Sequence, residues 1–385
     1  MARSVSNITT RVMIRGAEVV FENDHRRHEA SEPGVIFYDC QLLSNIHRRL
    51  RLSQRLSLQR WKHRLLMISV LTLALAPTFF VMLLGYTAGR VGIVNNMHVA
   101  ELNTVVMGYA LPASLLVATA STPRSALIAQ WPVLVSLAAV MMGTYVFWYG
   151  YQRSMRKQDP SESALQALAV GQPNFAAAGL PVITALFGAD QAATVAVAIA
   201  AGSLLPSPLT LAILELSQAK AGTGPSRGRA ARIALASAHA VSKPIVLAPV
   251  IGTLISLIGW PLPVVALAAL REIGQAAGGL ALFVTGLVLS ERPFRLSRNT
   301  MFGAGIANIA QPLIAFAICR ELGASVLTTK VSVVMAALPS GFFGILFGTS
   351  YRRISDEANS IIIASTIFSA FTLAVTIGWT YSYNG

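Results

Sequence analysis

Two stretches of this chain combine residue types suited to holding an anion in apolar surroundings. The first is Asn174-Phe-Ala-Ala-Ala-Gly-Leu-Pro181; the second is Ser332-Val-Val-Met-Ala-Ala-Leu-Pro339, followed by Ser340 and Gly341. Each places a polar residue seven positions before the proline of a Leu-Pro pair, late in a long apolar run. Proline lacks an N–H and disrupts the bond to the carbonyl four residues earlier, so each stretch predicts a broken helix. In lipid such a break is stable only where it is buried in protein or lines a wet cavity. Helix ends created at mid-depth offer free N–H groups and partial positive charge, which suit an anion. Asn174 adds amide donors beside the first break. Ser340 adds a hydroxyl beside the second, and Gly341 leaves room for close backbone approach. The candidate substrate-binding residues are Asn174, Gly179, Pro181, Pro339, Ser340 and Gly341. Asn103, Pro112, Asn308 and Gln311 form a second tier that could line the same cavity, although interhelical bonding is the plainer role for Asn308 and Gln311.

Other chemistry is missing from the sequence. It contains no His-Glu-x-x-His, no Gly-x-Ser-x-Gly, no phosphate loop and no cysteine pair. Cys40 and Cys319 are far apart, so neither a disulfide framework nor a metal site is expected, nor any cofactor. Glu215 and Glu272 fall near the ends of apolar runs, where interfacial solvation explains them. The scarcity of mid-run carboxylates argues against a cation as the main cargo. His239 reads as a residue that caps a helix or faces water.

The elements that must position these residues are membrane helices. The chain has 385 residues, 54% hydrophobic and 12% charged, with a mean hydropathy of +0.60. The charged share is about half that of a soluble domain. Apolar runs recur at 67–88, 102–121, 131–151, 164–187, 191–216, 234–258, 273–290, 300–319, 325–348 and 359–381. Each is long enough to cross about 30 Å of hydrocarbon as a helix. The expected class is therefore an all-α integral membrane protein of ten spans. Gly286 and the Gly278-Gly279 pair in span seven read as close helix packing.

The net charge of +14 follows from topology rather than from nucleic-acid binding. Fourteen basic residues flank odd-numbered spans on one side: Arg90, Arg153, Arg156, Lys157, Lys220, Arg227, Arg229, Arg232, Lys243, Arg292, Arg295, Arg298, Arg352 and Arg353. The other side has Arg124, Arg271, Arg320 and Lys330. The positive-inside rule puts the 217–233 linker in the cytoplasm and both chain ends outside. Residues 1–66 differ from the rest, with twelve Arg and Lys against six Asp and Glu and no apolar run long enough to span. The segment from Arg48 to Arg64 could form a basic amphipathic helix. The expectation for 1–66 is disorder, or a misassigned start upstream of Met67.

The two halves repeat each other. Leu180-Pro181 and Leu338-Pro339 occupy similar places in spans four and nine, and both runs end in a Phe-Gly pair, Phe187-Gly188 and Phe347-Gly348. Five helices per repeat is an odd number, so the halves, 67–216 and 234–385, must be inverted, a recurrent plan in secondary transporters.

These residues resemble the auxin efflux carrier family. The resemblance rests on Pro77 to Arg90 with Gly85 and Gly89, Leu102-Asn103 with Leu111-Pro112-Ala113, and Pro173-Asn174 with Gly179-Leu180-Pro181. It continues through Ala281-Leu282-Phe283 with Gly286-Leu287, Ala337 to Gly341, and Ser365-Thr366 with Ser369. It covers about 67–381. It implies ten helices in two inverted five-helix repeats, with broken helices four and nine crossing at the midplane, and transport of organic anions by alternating access. It also implies that Asn174 binds the carboxylate, with Pro181 and Pro339 as the crossing prolines. The lack of a long hydrophilic central loop favours the bacterial branch, carriers of malonate, malate and similar acids, in the cytoplasmic (inner) membrane. The expected partners are a small organic acid, the lipid bilayer and, as a homodimer, a second copy of the chain; nucleic acid is not among them. The alternatives are a cation-coupled symporter of the bile-acid type and, further off, a membrane-embedded enzyme or receptor.

Overall fold

The computed structural model describes residues 10–14, 17–21, 76–94, 98–221, 229–291 and 294–383. Two compact units divide the chain, Met1–Leu65 and Leu66–Gly385. In the first, strand β1 (Thr10–Ile14) pairs antiparallel with β2 (Ala17–Phe21), Thr10 opposite Phe21. The basic stretch 48–64 and most of the 217–233 linker lie outside the described residues.

The second unit is helical. Its long members are α2 (Val99–Ala120), α3 (Trp131–Ser154), α6 (Ala192–Gln218), α9 (Val264–Ser290), α10 (Arg298–Glu321) and α13 (Asp356–Ser382). At 22 to 27 residues each, all six are long and apolar enough to cross a bilayer. Shorter helices fill the intervals. Among them are α1 (76–91), α4 (Pro160–Gly171), α5 (Leu180–Phe187), α7 (Arg229–Val241), α8 (Pro244–Ile258), α11 (Val326–Ala336) and α12 (Phe343–Ser350). The apolar run at 234–258 is thus two helices, because Pro244 opens a new one at its first turn.

Glycines let four helices approach closely. A Cβ at Gly85 in α1 would overlap the carbonyl of Phe283 in α9. A Cβ at Gly252 in α8 would lie 2.7 Å from the carbonyl of Leu116 in α2. Gly286 packs as expected, against the carbonyl of Met82. Gly278 and Gly279 do not: a Cβ at either would meet nothing within 4 Å.

The proline effects are more varied than a simple break. Three X-Pro pairs, Leu111-Pro112, Leu180-Pro181 and Gln311-Pro312, each follow a five-residue π turn: Val106–Ala110, Phe175–Gly179 and Ile306–Ala310. Leu111 and Gln311 donate to carbonyls five residues back, at Val106 and Ile306. The wider turn moves the fourth carbonyl away from the ring, so the helix continues through the proline.

Polar contacts tie the ends of α4, α10 and α13. Glu162 accepts from Ser355 Oγ at 2.5 Å and from Gln166 Nε2 at 2.7 Å. Glu357 accepts from Ser297 Oγ at 2.6 Å and from Thr300 Oγ1 at 2.7 Å. Both carboxylates sit in the first turns of helices, whose N-terminal ends supply the compensating positive charge.

Candidate functional site: the crossing of two broken helices

The site is a junction of two backbone segments, each a place where a helix stops and restarts. After Gly171 the chain leaves α4 through Gln172 (φ −115°, ψ 106°), as a residue preceding proline is driven to do. Pro173 follows, then Asn174 (φ −80°, ψ 70°), whose Oδ1 accepts from the N–H of Ala177 at 3.1 Å and caps the next helical stretch. In the other half α11 ends at Ala336, and Leu338-Pro339-Ser340-Gly341 carries the chain to α12.

The two breaks pair with each other. The N–H of Asn174 donates to the carbonyl of Pro339 at 2.8 Å, and the N–H of Gly341 donates to the carbonyl of Gln172 at 2.8 Å. Pro173 and Ser340 thus face each other in an antiparallel bridge. This exchange satisfies backbone groups that a broken helix would leave bare in an apolar interior. Gly341 suits this close approach: a Cβ there would lie 3.0 Å from the carbonyl of Gln172.

Neighbouring helices hold the junction. The N–H of Ser340 donates to Ser365 Oγ in α13 at 2.9 Å, and Ser365 Oγ donates to Asn308 Oδ1 in α10 at 2.5 Å. Asn308 Nδ2 returns to the carbonyl of Ser365 at 2.7 Å. Gln311 Nε2 donates to the carbonyl of Val170, in the last turn of α4, at 2.7 Å and to Thr144 Oγ1 at 3.2 Å. Ser207 Oγ donates to Gln172 Oε1 at 3.3 Å.

Some groups at the junction remain unengaged. Among the described residues, the buried Ser340 Oγ and Gln311 Oε1 have no partner. Asn174 Oδ1 is committed to its cap, which leaves the amide N–H₂ for another acceptor. Phe342, at the N-cap of α12, supplies no side-chain bond to that helix end. No Lys or Arg occurs between Lys157 and Lys220, or between Lys330 and Arg352. The chemistry available is therefore dipolar: amide, hydroxyl and helix-end N–H groups without a fixed cation.

The sequence candidates divide accordingly. Asn174, Pro339, Ser340 and Gly341 meet at the crossing. Pro181 does not. The break in the first half is at Gln172–Asn174, and Pro181 lies in the first turn of α5, its missing N–H absorbed by the π turn. Gly179 closes that π turn and packs near Leu338. Asn308 and Gln311 brace the crossing from outside, as interhelical bonding predicts. Pro112 lies in α2 behind its own π turn, and Asn103 bonds α12 rather than the crossing. Gln172 and Thr144 were not singled out from sequence. The signal for the first was the amide-proline-amide triplet Gln172-Pro173-Asn174 inside an apolar run.

Comparison with known proteins finds membrane transporters. The family model described as "Membrane transport protein" matches residues 70–377. The uncharacterized transporter YfdV of Escherichia coli K12 is 26% identical over 295 residues, covering 76% of this chain and 92% of the relative. An uncharacterized transporter of Methanothermobacter thermautotrophicus is 24% identical over 298 residues, 76% of this chain and 92% of its own. A Rhizobium meliloti protein named "Putative malonate transporter" is 23% identical over 301 residues, 77% of this chain and 92% of the relative. With a match over most of its length, the chain belongs to the membrane transport protein family, the auxin efflux carriers that its motifs resemble.

Proposed function

We propose that this chain is a secondary transporter of small organic carboxylate anions, working by alternating access through ten spans arranged as two inverted five-helix repeats. The observation that carries the reading is a constant offset between equivalent contacts. Gly85 packs on Phe283 while Gly252 packs on Leu116, and Pro173 pairs with Ser340. Each second-half residue lies 167 positions after its first-half counterpart (252 minus 85, 283 minus 116, 340 minus 173). Pro77 and Pro244 keep the same spacing. A two-fold relation between the halves would produce these pairs and would put the crossing on its axis, the usual place for a transporter's binding site. On this register Pro173 rather than Pro181 is the proline of the first break.

A carboxylate suits the crossing because its donors are dipolar and carry no competing negative charge. The malonate in the name of the Rhizobium relative is of the same chemical class. The basic-residue count favours both ends outside, and the bacterial branch of the family implies the cytoplasmic membrane.

The test is uptake of labelled mono- and dicarboxylates into proteoliposomes, with and without a proton gradient. At least one acid should accumulate above protein-free vesicles and be competed by its unlabelled form. If only amines or neutral solutes enter, the carboxylate reading is wrong. A reporter inserted in 217–233 should be cytoplasmic, and the opposite labelling would overturn the orientation.

A further inference from the structure

The two half-helices that leave the crossing, α5 and α12, are counterparts under the 167-residue offset, yet their surroundings differ. Residues 343–349 of α12 are all buried. Phe347 is 0% exposed, whereas its counterpart Leu180 in α5 is 44% exposed. Alternating access by inverted repeats expects such inequality, with one half-helix clamped and its twin released.

The clamp on α12 is polar. Asn103 Nδ2 donates to the carbonyl of Leu346 at 2.9 Å and to Ser350 Oγ at 2.9 Å, using both amide hydrogens across α2 and α12. Just beyond α12, Tyr351 donates its hydroxyl to Glu215 Oε1 in α6 at 2.5 Å. The same oxygen pairs with His239 Nδ1 at 3.1 Å and Lys243 Nζ at 3.4 Å. Glu215 is therefore held by side chains from three other segments.

The counterparts cannot build this clamp. Asn103 corresponds to Leu270, Leu346 to Gly179 and Ser350 to Ile183. Glu215, Lys243 and Tyr351 correspond to Ser382, Ala76 and Thr184. The three atoms nearest a Cβ at Gly179 belong to Leu338 of the second break, Met335 of α11 and Val195 of α6.

We infer that Asn103 is a gating residue. It latches α12 shut on the cytoplasmic side, backed by the Glu215 cluster, while the outer side has no matching latch. The resting carrier therefore keeps its crossing shielded from the cytoplasm and released toward the outside. This rests on the transport reading and its orientation.

The test uses full-length protein with Cys40 and Cys319 replaced. A reporter Thr349→Cys, on the buried α12, is labelled with a membrane-impermeant maleimide in inside-out vesicles. Asn103→Leu copies the outer counterpart and removes both bonds. It should raise the labelling rate about tenfold, equivalent to roughly 1.4 kcal/mol of lost hydrogen bonding. A reporter Thr184→Cys should in the same protein label more slowly from the outside. Unchanged labelling at both sites in folded Asn103→Leu protein would overturn the latch. Should that variant fail to fold, Asn103→Cys with Ser350→Cys provides a second measurement. Its disulfide should stop transport while leaving Thr184→Cys open from outside, and continued transport by the cross-linked protein would sink the idea. Arg156→Cys separates the premises: labelling from the outer face would show the orientation to be wrong, whether or not Asn103 acts as a latch.

Discussion

At the first break the capping group belongs to the break itself, since Asn174 turns its Oδ1 onto the N–H of Ala177. At the second break Phe342 offers no side chain to the helix that follows, and support comes from Ser365 and Asn308 on other helices. The backbone exchange is common to both, two bonds of 2.8 Å between Gln172–Asn174 and Pro339–Gly341. So the junction is symmetric in main chain and asymmetric in side chains. The first break has an amide N–H₂ left over and the second a hydroxyl. A ligand placed between them would meet one donor from each repeat, which is a way for a single small anion to report on both halves.

The largest effect should come from spoiling the shared main-chain junction. Gly341→Val puts branched carbon where even a Cβ would lie 3.0 Å from the carbonyl of Gln172. Overpacking of this kind costs about 1–3 kcal/mol. Uptake should be lost and the melting temperature in detergent should fall. Normal uptake by this variant would mean that the two breaks need not touch.

Next in size is Asn174, where one side chain serves two purposes that substitutions can separate. Asn174→Ala removes the cap, at about 0.5–2 kcal/mol of stability, and the free amide. Losing one charge-assisted bond to a carboxylate, about 1.5–3 kcal/mol, should weaken apparent affinity by roughly one to two orders of magnitude. Asn174→Asp keeps an oxygen for the cap but loses the donor and adds charge of the wrong sign. Its melting temperature should stay near that of the parent while its affinity falls at least as far as in Asn174→Ala. If the Asp variant transports with unchanged affinity, the amide is only a cap and the carboxylate is held elsewhere.

Much of this was legible in the sequence, and the exceptions share a physical cause. The long apolar runs match α2, α3, α6, α10 and α13 to within three residues at each end, whereas α9 begins nine residues before its run. Asn174, Pro339, Ser340 and Gly341 meet at one junction. Leu180-Pro181 looks like Leu338-Pro339 in sequence, whereas the backbone sets Pro173 against Ser340. A proline announces a lost N–H, but whether the chain breaks or bulges depends on what receives the freed carbonyls. At Pro181 a π turn inside the same helix suffices, whereas the carbonyls of Gln172 and Pro339 find N–H donors in each other's break. That outcome is tertiary and leaves no local pattern. Asn103 was misjudged for the same reason, since its acceptors lie 243 and 247 residues away.

The smallest effects on stability should distinguish the two serines of the second break. Ser365→Ala strands the N–H of Ser340 and the Oδ1 of Asn308 in a buried site. An unsatisfied buried polar group costs about 1–3 kcal/mol, so the melting temperature should drop clearly. Ser340→Ala is different in kind. The Ser340 hydroxyl is buried and has no partner among the described residues, so its removal breaks no internal bond. Stability should change by less than about 0.5 kcal/mol. If the hydroxyl is the donor that the second repeat offers to a carboxylate, apparent affinity should still fall, by about tenfold for one hydrogen bond of roughly 1.4 kcal/mol. Uptake measured over a range of substrate concentrations separates the two outcomes. Unchanged affinity together with unchanged stability would leave the first repeat as the sole source of donors. The pairing of one donor from each half would then have to be abandoned, even with the crossing intact.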